Sequence, residues 1–191
     1  MRIAETQRLI LGPPGCGKTT RCLKLVEDEL AAGTPPNRIA YVSFTKRAVS
    51  EAVQRACDNF GYEQKDLPYF RTLHSLCFQL LGLRQSDVMS AEHYAELGEE
   101  LGYRFSRNKG SMEDGIPSGR NIGDQLLFIE QLARARRVTL EAQWHELNDY
   151  DIDLFALKRL ARALKEYKAR RGLFDFTGML EQVISDQRRV V

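Results

Sequence analysis

The sequence predicts an α/β domain with a parallel sheet and an all-helical insert. Between residues 7 and 81, short apolar segments that suit strands alternate with segments of helical periodicity, which is the pattern of a parallel sheet. A glycine-rich segment, Gly12 to Gly17, lies between the first of these strands and the first helix. From residue 83 to residue 171 the strand pattern disappears and helical periodicity continues alone. We therefore expect a helical insert in this part of the chain.

Composition and charge exclude several classes of protein. The chain is 43% apolar and 28% charged, as in ordinary globular proteins, which excludes disordered and collagen-like classes. Its net charge of +2 gives no bulk argument for nucleic acid, so a basic site must arise from local clustering. No apolar run approaches the roughly 20 residues that cross a bilayer, and the N-terminus leaves no room for a signal peptide. The four cysteines lack C-x-x-C or metal-ligand spacing, so we expect buried, reduced thiols and a cytoplasmic location.

The predicted elements follow from apolar spacing and from Gly and Pro. The predicted strands are 7–11, 39–44 and 69–71. The helices that follow them begin at Lys18, near residue 46 and near residue 73. In the insert we expect helices near 90–101, 122–137, 139–148 and 152–170, and a final helix near 176–187. Residues 106–123 are rich in Gly, Ser and Asn and predict a mobile loop.

The segment from Gly12 to Thr19 matches Gly-x-x-x-x-Gly-Lys-Thr, the Walker A pattern for nucleoside triphosphates. Its glycines let backbone N–H groups turn toward phosphates, and the helix that starts at Lys18 directs its positive end at the same anion. Lys18 is predicted to reach the β and γ phosphates, and the Thr19 hydroxyl to bind Mg²⁺. Lys18 and Thr19 are therefore the candidate catalytic residues. A plain Gly-Pro turn is the structural alternative.

The candidate phosphate-binding residues span the whole loop and the first turn of its helix. They are Gly12, Pro13, Gly15, Cys16, Gly17, Lys18, Thr19 and Thr20.

A second segment, Ser43 to Val49, lies where the second predicted strand ends, the edge at which parallel sheets bind ligands. If Phe44 is exposed, its ring beside Lys46 and Arg47 suits single-stranded nucleic acid, because the ring can stack on a base while the cations meet phosphates. In the alternative, Phe44 belongs to the core and the two cations only begin a solvated helix. The segment alone leaves both interpretations open.

Two further segments begin helices. Thr72 is placed to cap the helix near residue 73, with His74 in its first turn, and Asp175 is placed to cap the last helix. Each residue has a purely structural interpretation as a cap or a hydrogen-bonding group.

Taken together, these segments resemble the UvrD/Rep/PcrA family of superfamily 1 DNA helicases. In that family Walker A is followed by a Thr-Phe-Thr-Asn-Lys-Ala-Ala-like motif, here Ser43 to Val49, and by a Thr-Phe-His-like motif, here Thr72 to His74. A helical subdomain then precedes a D-F-x-x-L-L-like helix, here Asp175 to Leu180. The order and spacing of these motifs match across nearly the whole chain.

The resemblance implies a RecA-like P-loop NTPase sheet, incomplete at its C-terminus. Residues 1–82 would form the N-terminal part of the motor domain, 83–171 the helical insert, and 172–191 the return helix to the motor domain. It implies ATP and Mg²⁺ as cofactors, single-stranded DNA and also duplex DNA as partners, and 3′-to-5′ translocation driven by ATP hydrolysis. Phe44, Thr45, Thr72 and His74 fall at positions where family members contact single-stranded DNA, and Lys46 and Arg47 lie beside them.

The chain departs from the family pattern in two places. The family's Leu-Asn-x-x-Gln segment, whose Gln reads adenine, has no counterpart, since Gln7 lies too close to the phosphate loop. No apolar strand ends in the acidic pair of Walker B, and Val183 to Asp186 is the nearest and a poor match. Because hydrolysis needs that carboxylate to hold Mg²⁺, we expect this chain to be the N-terminal portion of a helicase and inactive as an ATPase by itself.

Seven cations lie in a predicted helix between residues 158 and 171, opposite an apolar stripe. They fit either a solvated charged face or a contact with DNA. Two other functions remain open for the whole chain: an AAA+-type or other P-loop ATPase, and a nucleic-acid-binding module with a vestigial nucleotide site.

Overall fold

The computed structural model describes residues 8–106, 121–147 and 152–187, and the chain divides into two compact units. The first unit extends to Leu76 and the second begins at Cys77. This boundary lies inside a helix, six residues before residue 82, and the predicted domain bounds stay a prediction. The loop predicted over 106–123 falls almost entirely on 107–120, outside the described residues, and stays a prediction.

The first unit is built around a two-stranded parallel sheet. In chain order its elements are α1 (Lys18–Ala31), β1 (Tyr41–Ser43), α2 (Lys46–Phe60), β2 (Phe70–Thr72) and the start of α3 (Leu73–Leu81). Tyr41 lies opposite Phe70, and Ser43 lies opposite Thr72. The predicted alternation of strand and helix is confirmed for these elements, and β1 is shorter than predicted.

The core of the first unit is formed by one face of the sheet and by facing stripes of α1 and α2. Its main buried side chains are Leu23, Leu30, Tyr41, Ala52, Ala56 and Phe70. Their spacing in α1 and α2 is helical, which places them on one side of each helix. In β1 the alternation of a strand buries Tyr41 and leaves Val42 40% exposed. The opposite face of the sheet therefore carries Val42 and its partner Arg71.

The predicted buried strand over residues 7–11 is wrong in its described part. Residues 8–11 have no strand conformation, and Leu9 and Leu11 are 82% and 79% exposed. A strand is stable only where a neighbour supplies hydrogen bonds to its backbone. Within the described residues β1 and β2 pair only with each other. The apolar run alone therefore did not determine a strand.

The second unit is helical. After α3 its helices are α4 (Ala91–Leu101), α5 (Ile122–Arg136), α6 (Leu140–Glu146), α7 (Leu154–Arg171) and α8 (Phe176–Ser185). Each predicted helix is confirmed to within a few residues. The last four begin sharply because a side chain accepts a hydrogen bond from a backbone N–H of the first turn. The capping residues are Asn121, Thr139, Asp153 and Asp175.

α7 is the central helix of this unit. Its predicted apolar stripe consists of Leu157, Leu160, Leu164 and Tyr167, and each of these is 0% exposed. The first half of the stripe packs with α5, and the second half packs with Leu97 of α4. α7 therefore contributes buried side chains to both apolar clusters of the unit.

α8 is attached to the same unit through the segment that precedes it. The Met89 N–H donates to the Phe174 carbonyl, and the Phe174 N–H donates to the Asp87 carbonyl, both at 2.8 Å. Met179 of α8 is 1% exposed. The described part of the segment 172–191 thus lies in the helical unit, and its assignment to the motor domain stays a prediction.

The prediction of buried thiols is wrong for two of the four cysteines. All four are free, but Cys16 and Cys22 are exposed, Cys57 is half-buried and only Cys77 is buried. Cys16 lies in the surface turn before α1, and Cys22 is on the solvent face of that helix. Local sequence does not reveal such a face until the packing partner of the helix is known.

Candidate nucleotide and nucleic-acid sites

The turn before α1 holds its lysine close to the backbone. The Lys18 Nζ donates to the carbonyls of Gly12 and Pro13, each at 2.7 Å, and lies 3.7 Å from the Cys16 Sγ. The Lys18 side chain therefore reaches from α1 back across the loop to its first residues, Gly12 and Pro13. A phosphate placed over the loop would meet this cation directly.

Three glycines permit this conformation. Gly15 and Gly17 have φ of 78° and 83°, in the left-handed region that favours glycine. A Cβ on Gly12 would collide with the Cys16 Sγ. The glycine spacing of the motif is thus required by the geometry of this turn.

The N-terminus of α1 is suited to an anion. Its N-cap is Gly17, so no side chain caps the helix, and its first turn carries no acidic residue. The N–H groups of the first turn and the positive end of the helix dipole face the loop. Thr19 and Thr20 are exposed in this turn. The predicted phosphate-binding residues thus share one surface of the first unit.

A second candidate surface, which we call the strand-end surface, is formed where β1 and β2 end side by side. It comprises Ser43 to Arg47 and Thr72 to His74. Because Ser43 lies opposite Thr72, α2 and α3 begin at the same edge of the sheet. The Thr45 Oγ1 accepts from the Ala48 N–H, and the Thr72 Oγ1 accepts from the Ser75 N–H, both at 3.3 Å. Both threonines are therefore helix caps, as predicted for Thr72.

Phe44 is at the surface. It is 68% exposed, which contradicts its alternative placement in the core. Lys46 and Arg47 beside it are also exposed, and they begin α2, whose first turn has no acidic residue. Cations at the positive end of a helix are unfavourable unless an anion offsets them. Aromatic exposure and unbalanced positive charge thus occur together at the strand-end surface.

One further cation of this region was missed by sequence reasoning. The Arg71 Nε donates to the Pro68 carbonyl at 2.7 Å, and its Nη1 lies 3.4 Å from the Ser75 Oγ. These contacts hold the half-buried guanidinium beside the first turn of α3, which contains the half-buried His74. Only its place in β2, next to Thr72, could have suggested this arginine.

The basic face of α7 is largely occupied by contacts with other elements of its unit. Arg159 bonds to the Leu101 carbonyl, and four other cations pair with acidic side chains elsewhere in the unit. These pairs are Lys158 with Glu141, Lys168 with Asp175, Arg170 with Glu100 and Arg171 with Glu96. The structure therefore favours the solvated, ion-paired interpretation of this helix over a contact with DNA.

Sequence reasoning also missed a buried ion cluster around Arg134. We call it the Arg134 cluster, and its members are Glu130, Arg134, Lys168, Asp175 and Glu181. Asp175 is 2% exposed and accepts from the Arg134 Nη1 at 2.7 Å, from Lys168 at 2.7 Å and from the Gly178 N–H at 2.6 Å. The capping role predicted for Asp175 is confirmed. Its partner Arg134 lies 41 residues earlier, with no local signal to connect them.

In the Arg134 cluster, ion pairing outweighs burial in setting the pKa values of Asp175 and Arg134. Burial alone would raise the pKa of Asp175, but bonds and charges of Arg134 and Lys168 outweigh it and hold that pKa below its ordinary value. Burial would lower the pKa of Arg134, but its bonds with Glu181 and Asp175 raise it instead. Asp175 and Arg134 are therefore a charged pair.

A family comparison decides what kind of protein carries these sites. The family model described as the UvrD/REP helicase N-terminal domain matches residues 1–185. The chain belongs to this family. Membership in this family argues against the alternative of an AAA+-type ATPase. It implies a P-loop helicase fold, to which the small parallel sheet and the loop before α1 belong.

This UvrD-like chain is also similar to a bacterial protein. It is the Bacillus subtilis (strain 168) protein named "Putative ATP-dependent DNA helicase YjcD", which is 25% identical over 190 residues. The match covers 93% of this chain and 23% of the relative, so the chain spans about a quarter of the relative's length.

The described part of this UvrD-like chain has neither a membrane-crossing helix nor a cluster of metal ligands. None of its helices is both long and apolar enough to cross a membrane. Within the same residues, no group of three or more His, Cys, Asp or Glu side chains is arranged to hold a metal ion.

Proposed function

We propose that this chain is the ATP-binding N-terminal part of a DNA helicase that moves along single-stranded DNA, with the 3′-to-5′ polarity that the resemblance implies. The observation that carries the proposal is the exposure of Phe44 at the edge where both parallel strands end. Family membership and the name of the relative as an ATP-dependent DNA helicase support it.

The nucleotide part of the proposal rests on the loop before α1. The uncapped N-terminus of α1 would bind the phosphates through its backbone N–H groups, and Lys18 would leave the carbonyls of Gly12 and Pro13 to neutralise them. The exposed Thr19 hydroxyl would bind Mg²⁺, which lowers the charge of the triphosphate. The loop residues therefore suit the triphosphate, and Thr19 would supply one ligand to the Mg²⁺.

The DNA part rests on the strand-end surface. The Phe44 ring would stack on a base, while Lys46, Arg47 and the N-termini of α2 and α3 would meet backbone phosphates. Thr45 and Thr72 cap those helices, so they fix where the N–H groups point. His74 in the first turn of α3 completes the set.

Replacing Phe44 by alanine is expected to weaken binding of single-stranded DNA by about 5- to 150-fold, because base stacking on an aromatic ring is worth roughly 1–3 kcal/mol. Since Phe44 is 68% exposed, the melting temperature should hardly change. Fluorescence anisotropy with a labelled oligonucleotide and a thermal melt measure the two quantities.

Phe155→Ala is the matched control, because Phe155 is 74% exposed on α7 in the other unit. It should leave DNA affinity unchanged. Equal affinities for the wild type and Phe44→Ala would remove stacking from the proposal.

The 191-residue chain alone should hydrolyse ATP negligibly, because no residue of it matches the Walker B carboxylate. The nearest segment, Val183 to Asp186, lies at the C-terminal end of α8 and not at the end of a strand. Phosphate release is the measurement. Turnover near 1 s⁻¹ that Lys18→Ala abolishes would contradict this expectation.

A further inference from the structure

The Arg134 cluster contains more negative than positive groups. Three carboxylates, from Glu130, Asp175 and Glu181, surround two cations, Arg134 and Lys168. The two carboxylates on the α8 side take most of the bonds of Arg134, since Asp175 accepts from Nη1 and Nη2 and Glu181 accepts from Nε and Nη2. With every carboxylate ionised, the cluster would carry a net charge of −1.

Of the three carboxylates, Glu130 is the most weakly hydrogen-bonded. One of its oxygens accepts from the Arg134 Nη1 at 3.3 Å, the longest of the Nη1 contacts. The other oxygen is buried without a hydrogen-bond partner among the described residues. The Glu130 side chain is only 7% exposed, so water supplies little compensation. A buried carboxylate with an unbonded oxygen is costly when ionised and much less so when it carries a proton.

We propose that Glu130 holds a proton in the folded helical unit near neutral pH, and that loss of this proton weakens the attachment of α8 to α5 and α7. The proton brings the cluster to zero net charge. Without it, the Glu130 charge repels Asp175 and Glu181, and both of those residues belong to α8 or its cap. The proposal concerns the helical unit and does not depend on nucleotide or DNA binding.

The surroundings of Glu130 on each neighbouring helix agree with this assignment. Burial raises its pKa to about 7, and the charge of Asp175 adds to the effect of burial, while Arg134 and Lys168 oppose both. Tyr94 of α4 is a further titratable group near these carboxylates, and burial followed by the charges of Asp175 and Glu130 raises its pKa, so the phenol stays neutral. A surface pocket of about 370 Å³ is lined in part by Arg134, Lys168 and Glu181.

The direction of the pH effect follows from linkage. The folded pKa of about 7 exceeds the ordinary 4.5, so the folded state binds more protons between these values. The contribution of Glu130 to the attachment of α8 should therefore be complete below pH 4.5 and be lost as pH rises through 7. If release of α8 returned Glu130 wholly to its ordinary pKa, the opening equilibrium of α8 would increase by about 30-fold from pH 5.5 to pH 8.5.

The test combines two measurements on the whole chain. The ¹³C shift of the Glu130 side-chain carboxyl, followed by NMR from pH 4 to pH 9, should titrate near pH 7. Amide hydrogen exchange of α8, corrected for intrinsic rates, should show the increase in opening with pH. Glu130→Gln should keep α8 protected and remove the dependence on pH. Glu166→Gln, an exposed carboxylate on α7, is the matched control and should behave as the wild type.

Three outcomes would overturn the proposal. A Glu130 carboxyl that titrates below pH 5.5 would show that it is ionised in the folded protein. Equal opening of α8 at pH 5.5 and pH 8.5 would show that the Glu130 proton has no effect on the attachment of α8. A dependence on pH that persists in Glu130→Gln would assign the effect to another group. If that variant did not fold, the NMR titration of the wild type would still decide the first point.

Discussion

Replacing Lys18 by alanine is expected to reduce the affinity for ATP and ADP by at least about 100-fold, because the two charge-assisted hydrogen bonds that one ammonium gives to phosphates are worth roughly 1.5–3 kcal/mol each. Among the described residues, the hydrogen bonds of the Lys18 ammonium go to the loop, to the carbonyls of Gly12 and Pro13 and the Cys16 thiol. The free energy of unfolding should therefore change by less than about 1 kcal/mol. Titration calorimetry and urea denaturation measure the two effects.

Lys24→Ala provides the control for charge. Lys24 lies on the same helix and pairs only with Glu27 and Asp28 at the surface. Its loss removes the same charge at a distance from the loop and should leave nucleotide affinity unchanged. An unaltered dissociation constant in Lys18→Ala, or an equal loss in Lys24→Ala, would mean that the loop does not bind phosphates in the proposed way. It would also favour a vestigial nucleotide site.

Replacing Asp175 by alanine is expected to lower the free energy of unfolding of the helical unit by about 3–5 kcal/mol, because it leaves the buried charges of Arg134 and Lys168 without their shared partner. It also removes the cap of α8. Trp144, the one tryptophan of the chain, lies in α6 of this unit, so its fluorescence during urea denaturation reports on the unit directly.

Asp153→Ala is the control that distinguishes the effect of losing a helix cap from the effect of losing ion pairs. Asp153 caps α7 through the Ala156 N–H at 3.0 Å, but it is exposed. Loss of a cap alone should cost about 1 kcal/mol. If Asp175→Ala destabilised the unit no more than Asp153→Ala does, the Arg134 cluster would contribute nothing beyond capping.

The helices and the phosphate loop were predictable because their signals are local. Apolar spacing, a capping side chain and a following glycine all lie within a few residues of the element that they specify. Thr72 and Asp175 were predicted as caps, and both are caps in the structure. The glycines of the loop follow equally from local backbone geometry, since Gly15 and Gly17 need positive φ.

Burial was predictable only where periodicity is complete. The stripe of α7 repeats at four positions over about three turns, so its buried face was clear from the sequence. Phe44 is a single aromatic after a three-residue strand, and its two possible placements could not be separated without the sheet. The run at residues 8–11 failed for a related reason, since its apolar residues have no neighbouring strand to pair with among the described residues.

The sequence by itself therefore determined the order of the helices and strands from α1 onward, the glycine-rich loop before α1 and the resemblance to DNA helicases, all of which depend on residues close together in the chain. Only the tertiary structure decided that Phe44 is exposed, that the cations of α7 are mostly paired, and that Arg134 holds Asp175. The physical reason is distance along the chain. An ion pair between residues 41 positions apart depends on how helices pack, and neither partner carries a local sign of the other.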